Sequence, residues 1–265
     1  MPAVQPAEVV PDFSCQGARS RLLLIAPPNS YRTVAYIESA RRQGVDVLVA
    51  SEGKFSLVSE VAGGLHVDLS DPMALDVLLA ENRRRPFNGV VATDDSTVEL
   101  GSRVAQSLGL PHNPPSAARL SQRKDLSRQA LAAAAVPVPW FRVIDLAAPV
   151  EAQLAGVPYP CVVKPLALSA SRGVIRADSP AGLLAACARV QAILAAEPSN
   201  DARVNSHLLL ESFVPGPEVA VEGLLQHGVL QVLAVFDKPD PLDGPFFEET
   251  YYITPSRHAS GVQQQ

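Results

Sequence analysis

Lys164 closes the β-branched run VVK, and Pro165 and the small-residue stretch LALSASRG follow it, ending in Gly173 and a second apolar pair. A cation fixed at a strand end beside a loop of small residues can meet phosphate oxygens with an ammonium and with backbone N–H groups. The hydroxyls of Ser169 and Ser171 and the guanidinium of Arg172 add donors. Such a loop alone is weak evidence, because small-residue turns join many strands and most strand-end lysines face water. A second element strengthens it. In LLLESFVPGPEVAVEGL, Glu211 ends an apolar strand, FVPG forms an extended linker, and Glu218 opens the next strand. An adenine needs an acceptor for its amino group and a donor for its ring nitrogen, which the backbone of Phe213 and Val214 can supply, and a carboxylate such as Glu218 can take ribose hydroxyls. Lys124, in RLSQRKDLSRQAL, is a third cation, on a helix where a solvated position is the simpler reading.

The elements that must position these residues follow from periodicity. RLLLIAP (21–27), VDVLVAS (45–51), HVDL (66–69) and NGVVATDD (88–95) read as strands and their following loop. TVAYIESARRQG (33–44, stopped by Gly44), DPMALDVLLAENRRR (71–85, with Asp71 as cap and Pro72 first) and STVELGSRVAQSLGL (96–110) read as helices. Alternation of this kind predicts a small doubly wound α/β domain with a parallel sheet over residues 20–112. Its first strand-to-helix turn, IAPPNSYRT, has no glycine, and the chain has no GxGxxG or GxxxxGK[ST], so the dinucleotide and P-loop readings fail. In ATDDST (92–97), Asp94 and Asp95 are placed to contact a substrate, but Asp95 as cap of the next helix is the simpler reading.

PHNPPSAA (111–118) marks a boundary. Beyond it the pattern predicts a helical stretch over 116–135, a strand PWFRVI, a short helix near 150–154, the strand YPCVVKP, the returning strand GVIRA and a long helix over 179–197 capped by Ser179 and Pro180. EPSNDARVNS then reads as a polar loop, followed by consecutive strands HLLLESFV, PEVAVEGLLQ, GVLQVLAVFDK and FFEETYYITP, with QHG as a hairpin turn. The second half is thus α+β with antiparallel sheet.

Composition bounds the function. With 265 residues, 47% hydrophobic, 18% charged and a net charge of −5, the chain is globular, and no nucleic-acid partner is expected. The run RRR at 83–85 suits a helix C-terminus. Cys15, Cys161 and Cys187 have no metal or redox spacing and read as reduced thiols of a cytoplasmic protein. No secretory leader and no run of 18 apolar residues occurs, so neither export nor membrane spanning is expected. Residues 1–19 read as a flexible leader.

Four motifs in series, Lys124, then VVKP with its Ser-rich loop and Gly173, then ESFVPGPE, then FDKPDPLDGPFFEETYYITPS, resemble the ATP-grasp superfamily, especially its carboxylate–amine and carboxylate–thiol ligases. The resemblance spans residues 20 to about 258. It implies a pre-ATP-grasp domain (20–112), a first ATP-grasp subdomain with a phosphate flap (113–205) and the start of a second, incomplete subdomain (206–265). Lys124 and Lys164 match the two phosphate-contacting lysines, and residues 167–173 match the flap. Glu211 matches the acid near the adenine amino group, Phe213 and Val214 the base-reading hinge, and Glu218 the ribose-binding carboxylate.

The implied chemistry moves the γ-phosphoryl of ATP to a carboxylate, and an amine or thiol then displaces phosphate from the acylphosphate. Lys164 and Arg172 are the expected catalytic cations. ATP with Mg²⁺ and a small carboxylate plus amine, amino acids among them, are the expected ligands; homo-oligomerisation is compatible with this. The family's metal ligands are expected beyond residue 265. Glu222, Asp237, Glu248 and Glu249 are acids in hand without the family's metal pattern, and Glu248 and Glu249 stand where substrate is expected. Asp237 and Lys238 read equally as an ion pair within a turn or as the edge of the ATP pocket. A fragment of a longer ligase is the favoured reading, ahead of a natural truncation or a nucleotide-binding protein without turnover. The terminal GVQQQ suits either a helix start or a polar tail.

Overall fold

The computed structural model describes residues 19–52, 63–196 and 201–263. The expected leader and Cys15 lie outside the described residues. Two compact units divide between Gln122 and Arg123, past the proline-rich stretch.

The first unit runs β1 (Arg21–Ile25), α1 (Thr33–Arg42), β2 (Asp46–Ser51), β3 (Gly63–His66), α2 (Ala74–Arg84), β4 (Gly89–Ala92), α3 (Val98–Ser107) and α4 (Pro115–Gln122). Its four strands are all parallel in the order β3-β2-β1-β4. Alternation along the strands divides the core, as a period of two requires. Leu23, Ile25, Leu48 and Ala50 pack with Leu78 of α2 and Val104 of α3. Leu24, Ala26 and Val49 pack with Ile37 of α1. Helices therefore cover both faces, as the alternating pattern predicts. α1 stops at Gly44 (φ +68°), where Val45 N–H reaches the Ala40 carbonyl at 2.9 Å and Gly44 N–H reaches that of Arg41 at 3.1 Å, the paired bonds of a Schellman motif.

The second unit runs α5 (Lys124–Ala133), β5 (Phe141–Asp145), β6 (Cys161–Pro165), β7 (Ile175–Ala177), α6 (Pro180–Ala195), α7 (Ala202–Ser206), β8 (His207–Ser212), β9 (Glu218–Gln226), β10 (Val229–Lys238) and α8 (Ser260–Gln263). An antiparallel sheet orders its strands β5-β8-β6-β7, and β9 and β10 form a separate hairpin. Ser179 caps α6, its hydroxyl accepting Gly182 N–H at 3.2 Å. Leu183, Cys187, Val190 and Leu194 of α6 pack on Cys161, Val163, Leu208 and Leu210. Leu208, Leu209 and Leu210 are all fully buried, each worth roughly 2 kcal/mol, so the central strand β8 is covered on both faces.

Several local readings are corrected. The third strand ends at His66 rather than beginning there, its start hidden by Gly63 and Gly64, which have little strand propensity. Asp71 does not cap α2 directly: its carboxylate takes Met73 N–H at 2.8 Å, and Met73 holds the cap position. The helical stretch before β5 is two helices, α4 and α5, broken where Arg123 turns extended (φ −98°, ψ 103°). Part of the expected polar loop is α7, started by Asp201, which accepts Arg203 N–H at 2.9 Å. FFEETYYITP is not a strand. Phe246 bridges Ile175 while Ile253 bridges Asp237, so two separate partners replace one continuous ladder.

Candidate functional site

Sheet register brings the expected lysine and carboxylate together. Lys164 lies opposite Leu209 and Val162 opposite Glu211, so Lys164 and Glu211 are diagonal neighbours on one face, within reach of long side chains. That face lies away from α6, whose contacts take Cys161, Val163, Leu208 and Leu210. Lys164 Nζ pairs with Glu211 Oε2, and Arg128 Nε of α5 reaches Oε1 at 2.5 Å. Glu211 is 3% exposed. A buried carboxylate is tolerated when paired and hydrogen-bonded, and here each oxygen holds a cation. Arg128 is absent from the sequence reading, although it stands four residues after Lys124 and so on the same helical face.

The start of α5 is pinned to the loop after β6. Lys124 N–H donates to the Leu166 carbonyl at 2.9 Å, and Lys124 Nζ to that of Leu168 at 2.6 Å. Arg123 holds Asp125 through two bonds of 2.9 Å and reaches Asp201 at 2.7 Å. Burial works against the Arg123 charge, but the two carboxylates outweigh it and raise its pKa. This buried network, unread in the sequence, fixes where Lys124 stands.

The loop itself is a tight turn. Ala170 (φ 55°) and Ser171 (φ 53°) are both left-handed, and Arg172 N–H returns to the Ser169 carbonyl at 3.3 Å, a type I′ geometry without a central glycine. Val174 N–H bonds the Ser171 carbonyl at 3.1 Å. Two loop amides are thus spent internally, leaving those of Ser169, Ala170, Ser171 and Gly173 for an anion. Gly173 (φ +73°) is required twice over, because a Cβ there would also lie 2.9 Å from Pro165 Cγ. Arg172 is exposed and lines a cleft of about 550 Å³ with Arg189, Phe246, Phe247, Glu248 and Glu249.

The linker departs from expectation at one atom. Phe213 N–H already donates to the Pro160 carbonyl at 3.0 Å, so it cannot also read a base. Arg176 stacks 4.3 Å over the Phe213 ring, and Val214 is 68% exposed. Glu218 pairs with Lys238 Nζ, which also reaches Glu249 at 2.6 Å, and Tyr252 OH donates to Glu249. Burial works against the Lys238 charge, but hydrogen bonds to Glu218 and Glu249 outweigh it and raise its pKa. Bonds from Lys238 and Tyr252 hold the Glu249 carboxyl below its usual range. Asp237 and Lys238 are not paired with each other. Asp237, 4% exposed, takes Ser256 OH at 2.5 Å and Arg257 N–H at 2.9 Å. Those bonds, Ser256 first, lower its pKa.

Glu222 is exposed on β9, opposite Ala234. Asp95 belongs to the first unit and is exposed. It does not cap α3, whose cap position is Thr97: it stands inside a single 3-10 turn, Asp95–Thr97, that leads into α3 and whose own cap position is Asp94, in a capping box with Thr97. Burial pushes the Asp94 carboxyl up, but hydrogen bonds from Ser30, Thr93 and Arg32, with the charge of Arg32, outweigh it and lower its pKa.

Lys124, Lys164 and Arg128, with the amides of the 169–173 loop, are a donor set suited to the oxygens of a polyphosphate. Among the described residues no group of three or more His, Cys, Asp or Glu side chains gathers to hold a metal. Among them, too, no helix is long and apolar enough to cross a membrane.

Residues 157–264 match the ATP-grasp domain family, and residues 37–112 match the ATP-grasp N-terminal domain. The chain belongs to the ATP-grasp superfamily. It is 31% identical over 157 residues to a formate-dependent phosphoribosylglycinamide formyltransferase of Stenotrophomonas maltophilia, covering 58% of this chain and 39% of that protein. The crystal structure of an L-amino acid ligase from Bacillus licheniformis superposes with a TM-score of 0.79 at 26% identity, covering 94% of this chain and 59% of that one. The ADP complex of an N5-carboxyaminoimidazole ribonucleotide synthetase gives a TM-score of 0.71 at 16% identity, covering 92% of this chain and 60% of that one, a likeness of fold. The chain spans less than two thirds of each.

Proposed function

We propose that this chain forms the nucleotide-binding part of an ATP-dependent ligase of the cytoplasm, joining a small carboxylate to an amine or thiol through an acylphosphate. The observation that carries this reading is the cation set around buried Glu211, with Lys164 at the root of a strained small-residue loop and Lys124 tied to that loop from the other side. The family to which the chain belongs supports it, and the likeness to an L-amino acid ligase supports an amino acid as the carboxylate.

In this reading Lys164 and Lys124 hold phosphate oxygens, and the amides of Ser169, Ala170, Ser171 and Gly173 fold over them. Arg172 brings a further cation to the transferring group, since phosphoryl transfer is accelerated chiefly by positioning and charge stabilisation. Glu211 holds the Lys164 and Arg128 heads, and Glu218 exchanges Lys238 for ribose hydroxyls. Glu248 and Glu249 face the carboxylate and amine substrates. Phosphate release from ATP, followed across a panel of amino acids, tests this: release dependent on one amino acid and abolished by Lys164→Met is expected. ATP binding without release under any amino acid would favour the second reading, a nucleotide-binding protein without turnover.

A further inference from the structure

The first unit carries a second, cationic cleft at the opposite end of its strands from the loops that follow them. Arg19, Arg21, Arg41 and Arg85 line about 470 Å³ of open space together with one acid, Asp46, and the backbone at Gly44 and Gly63. The cations come from three separate places in the chain: the entry to β1, the last turn of α1 and the residue after α2. The C-terminal end of α1 adds Arg42, and that of α2 adds Arg83 and Arg84, to the same end of the sheet, in a chain whose net charge is −5.

Attraction to a helix C-terminus accounts for Arg41, Arg42, Arg83 and Arg84. It does not account for Arg19, which precedes β1, for Arg21, the first residue of β1, or for Arg85, which lies outside the helix with extended backbone. Arg21 is 7% exposed and is fixed in place: it reaches Glu81 at 2.9 Å and the Arg85 carbonyl at 2.5 Å, and stacks 4.6 Å from the centre of the Phe87 ring. Arg85 meets Asp46 through one terminal nitrogen. The cleft is therefore floored by a rigid guanidinium and walled by exposed ones. Among the described residues, four guanidinium groups line the space against two carboxylates, Asp46 in its wall and Glu81 on Arg21. Guanidinium forks bind phosphate bidentately, and several of them around one space favour a ligand with more than one anionic group.

We propose that this cleft binds a diphosphate group, free or carried on a small molecule, at a site separate from the Lys164 site. Gly44, where an added Cβ would meet nothing within 4 Å, leaves the backbone open on one side of the space. The site needs no metal and no covalent step.

Calorimetric titration at low salt of the full chain carrying Lys164→Met, which weakens the other anion site, tests the proposal with inorganic diphosphate, inorganic phosphate and ADP. Diphosphate is expected to bind more tightly than phosphate, and Arg41→Gln and Arg19→Gln are each expected to weaken it about tenfold, the loss of one charge-assisted contact. The melting temperature of Arg19→Gln should not change, since that side chain is exposed. ADP binding with the same arginine dependence identifies a diphosphate carried on a nucleotide; binding of diphosphate alone identifies the free ion. Unchanged affinity in both arginine variants, or loss of all diphosphate binding with Lys164→Met alone, overturns the proposal.

Discussion

Glycine at 173 carries two constraints at once, and its substitution separates the loop from the strands. Its φ of +73° is strained for any residue with a Cβ, and that Cβ would meet Pro165 Cγ at 2.9 Å. Gly173→Ala is expected to cost about 1–3 kcal/mol, read as a lower midpoint in chemical unfolding; an unchanged midpoint would mean that the loop relaxes freely. Lys164 and Glu211 were legible in the sequence because each closes an apolar run, where a charge stands out. Arg128 and the Arg123–Asp125 pair were not. Their helix is rich in Ala, Leu, Arg and Gln, and only the tertiary register shows that Arg128 meets a buried carboxylate while Arg123 is itself buried. The Phe213 amide shows the same limit: nothing in SFVPG reveals that the Pro160 carbonyl takes its proton.

Among the elements, β9 and β10 stand apart. Val219, Val221, Leu224, Leu225, Val229, Leu230, Val232 and Leu233 are all exposed on a two-stranded hairpin that, among the described residues, joins no other sheet. Two strands alone bury little, and exposed apolar surface of this extent is sticky. The chain is expected to bind a hydrophobic dye in its native state, and Leu224→Lys with Leu230→Lys should reduce that fluorescence without lowering the melting temperature. Dye binding that is absent, or unmoved by the substitutions, would contradict the exposure. Elements with a clean period were readable from the sequence: β1, β2, α1, α3, α6 and the hairpin fall where alternation and 3.6-residue spacing put them. FFEETYYITP misled because alternation signals a half-buried segment, and here the burial comes from two isolated bridges rather than a ladder. The third strand misled for the opposite reason, since GGLH carries almost no alternation.

For the whole molecule, shifted ionisations bound the pH range of stability. Asp94, Asp237 and Asp68 have pKa values below their ordinary 3.8 in the folded chain. The stability they add is present above that value and is lost as pH falls through the folded ones. Burial pushes the Cys161 and Cys187 thiols up to about 11 from 9.0. That contribution is present below 9.0 and is lost as pH rises towards 11. The melting temperature should therefore be level between these limits and fall on both sides. Asp94→Asn should flatten the acid limb, whereas an acid limb identical in the variant would remove Asp94 from this account. The division at Gln122/Arg123 puts the candidate nucleotide residues Lys124, Lys164, Glu211 and Glu218 in one compact unit. The central claim is that this unit holds ATP through Lys164, and calorimetric titration of ATP into the wild-type chain and its Lys164→Met variant tests it most directly. Binding by the wild type, weakened about 10- to 100-fold in the variant by loss of a charged hydrogen bond with folding intact by circular dichroism, is the predicted result. Equal affinity in the two chains, or no ATP binding by the wild type, would contradict it.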